Sequence, residues 1–235
     1  MVDTSAARTQ RIYARVAGFG LLWLIVTGLA GMLTINHIVG SGTLAEMAQR
    51  AAASERLYRV ALSSELIAVL STVLVAFALY VTLKPVDKLL AQIAMYWRMG
   101  EAFVGGVAMV LSFETLRLYL SPQPAGGPDA VHLQALMDLT RHASYIASTI
   151  GATFFSIGSI LFFYLFFRSR YIPRTLSAFG VFASAVVTLV CFGPLIFPEH
   201  AGTLQYGWAP MAIAEVGTGF WLLLFAVKTQ TASGA

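Results

Sequence analysis

Six stretches of about 20 mostly apolar residues, each closed by charged or breaker-rich sequence, recur along this chain at about 16–36, 60–83, 89–113, 143–167, 176–197 and 208–227. A helix of that length crosses a hydrocarbon core of about 30 Å and satisfies its own backbone hydrogen bonds where no water can. The pattern predicts an all-α fold, a polytopic membrane bundle of six transmembrane helices forming a single integral membrane domain over residues 1–235. Composition agrees: 58% of residues are hydrophobic and 11% charged, against roughly 25% charged in soluble domains. A water-soluble globular fold is excluded.

The first stretch follows Arg8, Arg11 and Arg15, as a signal peptide's apolar region would. Its length exceeds a typical signal h-region and no A-x-A-like site closes it, so a retained anchor is expected. Basic residues then orient the bundle. Arg8, Arg11, Arg15, Lys84, Lys88, Arg168, Arg170, Arg174 and Lys228 fall on one side, which should be cytoplasmic. The other side holds Arg50, Arg56, Arg59, Arg117 and Arg141, partly offset by Glu46, Glu55, Asp129 and Asp138. Both termini are therefore expected in the cytoplasm. The basic residues form no stripe that could follow a phosphate backbone, so nucleic acid is not an expected partner. Cys191 stands alone in an apolar run and offers neither a disulfide framework nor a Cys-based metal site.

Residues 43–59 are Ala-rich, with Glu46, Arg50, Glu55 and Arg59 at helical spacings, and should form a surface helix continuing into the second span. SPQPAGGP at 121–128 is a breaker that ends the third span, and 131–141 should supply aqueous first turns of the fourth. Pro85, Pro173 and Pro198 are expected at membrane edges, while Pro194 and Pro210 should bend their spans. Tyr58, Tyr119, Tyr171, Tyr206 and Trp208 lie where amphipathic rings favour the interface.

Ionisable residues inside the spans carry the functional signal, because a charge at mid-membrane costs several kcal/mol on insertion scales. Glu65 lies in the second span, Arg98 and Glu101 in the third and Glu215 in the sixth, with His142 at the mouth of the fourth. By the 1.5 Å rise, Glu65 is about 9 Å below Arg59, Glu215 about 10 Å below Trp208, and Glu101 about 20 Å above Lys88. Three carboxyls are thus expected at one level in the outer half of the bilayer. Arg98 and Glu101, at i and i+3, share a helix face. His142, Tyr145, Thr149, Thr153 and Ser156 form a stripe suited to the wall of a hydrated cavity. Three carboxylates and one guanidinium would carry a net charge of −2 in low dielectric. Compensation would come from carboxyl protonation, a charged His142, or a bound cation or cationic ligand. The candidate ligand- or ion-binding residues are Glu65, Arg98, Glu101, His142, Tyr145 and Glu215.

Glu-x-x-His and His-Glu-x-x-His are absent, so no metal site is indicated, although Asp138 and His142 at i and i+4 would orient an imidazole. No nucleotide-binding glycine motif, nucleophile elbow or cofactor signature occurs. Gly100, Gly105 and Gly106 are read as close-packing positions.

Several short motifs recur in a recognisable order: Tyr80-Val81-Thr82-Leu83-Lys84-Pro85-Val86, Trp97-Arg98-Met99-Gly100-Glu101, His142-x-x-Tyr145 followed by Gly151, Phe154-Phe155 and Gly158, Phe167-Arg168-Ser169 with Pro173-Arg174, and Glu215 before Trp221. Together they resemble a bacterial membrane family known as domain of unknown function 4386, over nearly the whole chain. The resemblance implies a six-helix protein of the bacterial cytoplasmic (inner) membrane and carries no activity or cofactor with it. Glu65 stands where the pattern has the shorter Asp.

Three readings stay open. In one, the cluster binds a proton, cation or small ligand in a transporter or sensor. In another, it serves an enzyme acting on a lipid or isoprenoid, with Glu65 or Glu215 as general acid or base and His142 as partner. In the third it is a polar clasp between helices. Beyond the bilayer itself, the expected partner is a lipid or small cationic ligand.

Overall fold

The computed structural model describes residues 4–122, 127–197, 202 and 205–227, and no strand occurs among them. The chain folds into α1 (Thr4–Val39), α2 (Leu44–Ala53), α3 (Glu55–Leu83), α4 (Lys88–Tyr119), α5 (Pro128–Ser169), α6 (Arg174–Ile196), a 3₁₀ turn at Gln205–Trp208, and α7 (Ala209–Phe225). Six segments, all the expected spans, are long and apolar enough to cross a membrane. The chain is a multi-pass integral membrane protein.

Helix ends follow local chemistry. Asp87 caps α4 by accepting the Leu90 N–H at 3.0 Å. α5, 42 residues long, reaches roughly 63 Å at 1.5 Å per residue, so its 131–141 portion extends the span as expected. Lys84 and Pro85 lie in the turn between α3 and α4, and Pro173 caps α6. Pro210 does not bend α7; it sits in the helix's first turn, where its missing N–H has no intrahelical acceptor to lose. Pro194 lies in the last turn of α6, while Pro198 and residues 123–126 of the expected breaker are outside the described residues.

The surface helix expected to run into the second span is divided. α2 ends at Ser54, whose φ of −119° and ψ of 25° leave the helical region while its N–H still reaches Arg50 and Ala51 carbonyls. Ser54 then accepts the Tyr58 N–H at 2.9 Å, starting α3.

The residues group into two compact units. The first draws on Met1–Trp23, Ser71–Ala102 and Ile150–Ala235, the second on Leu24–Leu70 and Phe103–Thr149.

In the first unit α1 meets α7 through glycines: a Cβ on Gly18 would lie 2.5 Å from the Leu223 nitrogen and 2.7 Å from the Gly219 oxygen. Backbone approaches backbone there, as small residues allow in membrane proteins. The α5–α6 turn is held from α1 and α7. Gln10 donates to the Thr82 carbonyl (2.8 Å) and to the Tyr171 hydroxyl (2.9 Å), and the Trp221 indole donates to the Tyr171 carbonyl. Arg168 pairs with Asp87 at 3.2 Å beside it.

In the second unit a core of Ile38, Ala48, Tyr58, Leu62, Met109, Leu116, Tyr119 and Met137 seats the apolar face of α2. The α1–α2 turn uses positive φ at Gly40 (+59°) and Gly42 (+138°), which glycine adopts without a Cβ clash. Thr43 and Glu46 form a reciprocal capping box, and Arg50 folds back onto the Val39 and Ser41 carbonyls. Tyr58 and Tyr119, expected near the interface, are buried against the protein at 4% and 3% exposure, with ring centroids 6.4 Å apart.

Candidate functional site

The six candidate residues divide between the units. Arg98, Glu101 and Glu215 belong to the first, and Glu65, His142 and Tyr145 to the second.

In the first unit, α4 carries Arg98 inward until it is only 2% exposed. Its Nε lies 3.1 Å from Glu101 Oε2, one turn along the same helix. The N–H is not aimed at that oxygen, so the contact is Coulombic, and Nε, Nη1, Nη2 and Oε2 are buried without a hydrogen-bond partner. The guanidinium carbon sits 4.5 Å from the centre of the Phe155 ring on α5, in cation–π contact. Gly158 makes this possible: a Cβ there would press on Arg98 and Trp97 side chains at 3.1 Å. Gly100 admits Phe154 in the same way, since a Cβ on it would lie 2.5 Å from that ring.

Arg98, Ser159, Glu215 and Thr218 share a cavity of about 20 Å³, walled by Leu21, Leu79 and the rings of Phe162, Phe163 and Phe166. That is room for one water-sized molecule. Thr218 Oγ1 is also buried without a partner. Among the described residues no ion pair joins Glu215 to Arg98, although both line this space. Chemically, the arrangement offers one fixed positive charge, two carboxyls and two hydroxyls in an aromatic shell. Burying such charges costs several kcal/mol each, which their mutual attraction offsets only in part.

The second unit holds the larger space, a cavity of about 310 Å³. α1 contributes Asn36 and Val39, α3 contributes Tyr58, Leu62 and Glu65, α4 contributes Ser112, Thr115 and Tyr119, and α5 contributes Arg141, Ser144 and Ser148. This lies at the lower end of volumes that hold small-molecule ligands. Glu65 packs against α1 where Gly31 leaves space: a Cβ on Gly31 would lie 2.5 Å from Glu65 Cγ. The hydroxyls along the wall are largely engaged. Ser112 and Ser144 are 3.2 Å apart, Thr115 donates to the Leu111 carbonyl, and neighbouring Ser64 donates to the Thr27 carbonyl. Among the described residues neither Glu65 nor Arg141 takes part in an ion pair or hydrogen bond.

His142 is exposed and Tyr145 is 48% exposed, and neither lines this cavity. The α5 face that does is Arg141, Ser144 and Ser148, one residue before the expected stripe and about 100° around the helix. Lower on the expected stripe, Thr149 donates to the Tyr145 carbonyl, and Ser156 donates to the Thr153 carbonyl while accepting from Thr188. Arg141, Tyr58 and Tyr119 are thus among the cavity residues absent from the expected set. Arg141 carried a signal, since it shares a helix face with Ser144 and Ser148 at i+3 and i+7. Glu114 and Arg117 pair on the surface at 3.3 Å, and no group of three metal-ligating residues occurs among the described residues.

No curated protein and no solved structure matches the chain. The family described as Domain of unknown function (DUF4386) matches residues 16–226. With that match reaching into all six apolar helices, the chain belongs to this family.

Proposed function

We propose that this protein is a ligand-binding membrane protein, a small transporter or sensor, whose ligand enters the cavity of the second unit and presents a cationic group to Glu65. The observation that carries the reading is the cavity itself: about 310 Å³, with an unengaged carboxylate among its lining residues and two buried tyrosines beside it. An ammonium group in this space would meet a counter-charge and tyrosine side chains, two features that hold organic cations out of bulk water. The positive-inside distribution supports a cavity open toward the outer face of the bacterial inner membrane.

The second reading applies to the first unit, where the Arg98 contacts favour a clasp. A guanidinium packed on Phe155, beside Glu101 and in a space for one water, has the dimensions of a tie between helices α4 and α5 rather than of a ligand site.

Titration of the purified protein in detergent with ethanolamine, followed by thermal unfolding, tests the ligand reading. A rise in Tm that disappears in Glu65→Gln is the expected result. An unchanged Tm, or an equal rise in the variant, overturns it.

A further inference from the structure

The cavity at Glu65 contains a second, opposite charge that the reading above does not use. Arg141 on α5 lines the same space and is exposed. Its nearest acidic residue along the helix, Asp138 at i−3, forms no ion pair with it among the described residues. Glu65 and Arg141 do not pair with each other either, although they share one cavity. Two opposite charges facing the same space are usually either neutralised by each other or kept apart by what lies between them. Here the rest of the polar lining includes Tyr58, Tyr119 and the Ser112–Ser144 hydroxyl pair, which is already bonded to itself. The space therefore has one carboxylate, two tyrosines and one planar, five-donor guanidinium along its wall.

We infer that the ligand of this cavity is a zwitterion, with a primary or quaternary ammonium against Glu65 and a phosphate or carboxylate against Arg141. A cation alone would leave the guanidinium without a counter-charge, and an anion alone would meet the Glu65 carboxylate. A dipolar molecule satisfies both ends, and a guanidinium meets phosphate or carboxylate with two parallel hydrogen bonds. The same chemistry is present in the headgroup of a phosphatidylethanolamine and in a free amino-alkyl phosphate. This inference rests on the reading of the cavity as the ligand site.

Binding of O-phosphoethanolamine and of ethanolamine to the full-length protein in detergent, measured by titration calorimetry, separates the two. Phosphoethanolamine is expected to bind about tenfold more tightly, the worth of one charge-assisted pair. Arg141→Gln should bring the two ligands to equal affinity and Arg141→Lys should restore part of the difference, while Glu65→Gln should weaken both. Because Arg141 is exposed and forms no ion pair among the described residues, an unchanged unfolding curve without ligand is the expected control. Equal affinities in the unsubstituted protein, or a preference that survives Arg141→Gln, overturn the zwitterion and leave Glu65 as a cation site. Insensitivity of both ligands to Glu65→Gln, or no binding of either up to millimolar concentration, overturns the site as a whole. Nanodiscs of phosphatidylethanolamine and of phosphatidylglycerol then identify the source. Weaker binding of soluble phosphoethanolamine in the first alone assigns a lipid headgroup, and equal binding in both assigns a free zwitterion.

Discussion

Arg98 Nε lies 3.1 Å from Glu101 Oε2, yet the two share no aligned hydrogen bond. A buried guanidinium in this position is held by charge and by the Phe155 face rather than by directed donors. Such a pair contributes little net stability as built, because desolvation offsets its Coulomb energy. Removing one partner is another matter, since the remaining charge stays buried without compensation.

Arg98→Gln is accordingly expected to destabilise the protein by about 3–5 kcal/mol, whereas Glu215→Gln, which breaks no ion pair, should cost about 1 kcal/mol or less. Thermal or denaturant unfolding of both variants in one detergent decides the order. Equal losses would mean that Glu215 is as firmly coupled to the guanidinium as Glu101 is. The double variant Arg98→Met with Glu101→Leu should recover much of the loss, because an apolar pair of similar volume needs no charge compensation.

The α1–α7 crossing predicts a contrast between two glycines. A Cβ on Gly18 would meet the backbone of Leu223 and Gly219 at 2.5 and 2.7 Å, atoms that cannot rotate away, whereas a Cβ on Gly106 has nothing within 4 Å. Gly18→Ala should therefore cost about 1–3 kcal/mol as the helices are forced apart. Gly106→Ala should be neutral or gain up to about 1 kcal/mol from helix propensity. Unfolding midpoints of the two variants in parallel check the difference, and an unharmed Gly18→Ala protein would show that this crossing can open.

The spans were legible because their signal, an apolar run of bilayer length, depends on neither partner nor azimuth. What was not legible is rotation about each helix axis. The rise per residue places Glu65, Glu101 and Glu215 at similar heights, but height does not say which neighbours a side chain has. Glu65 groups with Tyr58 and Arg141, and Glu215 with Arg98 and Thr218. On α5 two adjacent stripes are both polar, so periodicity could not choose between His142–Tyr145 and Arg141–Ser144. Tyr58 and Tyr119 look like interface aromatics along the chain, and their burial comes from a core to which α1, α2, α4 and α5 all contribute. The break at Ser54 was hidden because one serine among alanines barely alters helix propensity.

The capping box of α2 gives a pH dependence whose sign can be worked out. The Glu46 carboxylate accepts the Thr43 N–H at 2.9 Å, and this backbone hydrogen bond, helped by the Thr43 side chain, holds its pKa below the ordinary carboxylate value. A lowered folded-state pKa means that the capping contribution is fully present above the unfolded value of about 4.3 and is lost as pH falls through the folded one. Hydrogen exchange at the first-turn amides of α2 should therefore be steady from pH 7 to about 5 and lose protection under more acidic conditions. In Glu46→Ala that acid-dependent loss should vanish, because the first turn starts out less protected. A wild-type profile retained in the variant would assign the pH dependence to another group.

Orientation in the membrane is decided by which loops a reagent can reach. Lys88 opens α4 and Asp129 lies in the first turn of α5, and both are exposed. Nine Lys and Arg residues are expected on the Lys88 side and five on the Asp129 side, an excess that should retain the Lys88 side in the cytoplasm. Cys191, which is 3% exposed, can be replaced by alanine to give a cysteine-free background with little change in volume. Single cysteines at 88 and 129 in that background then report the topology. A membrane-impermeant maleimide added to intact cells should modify Asp129→Cys at once and Lys88→Cys only after permeabilisation. The opposite pattern would place the Glu65 cavity toward the cytoplasm, and the zwitterion would then have to come from the inner leaflet or the cytosol.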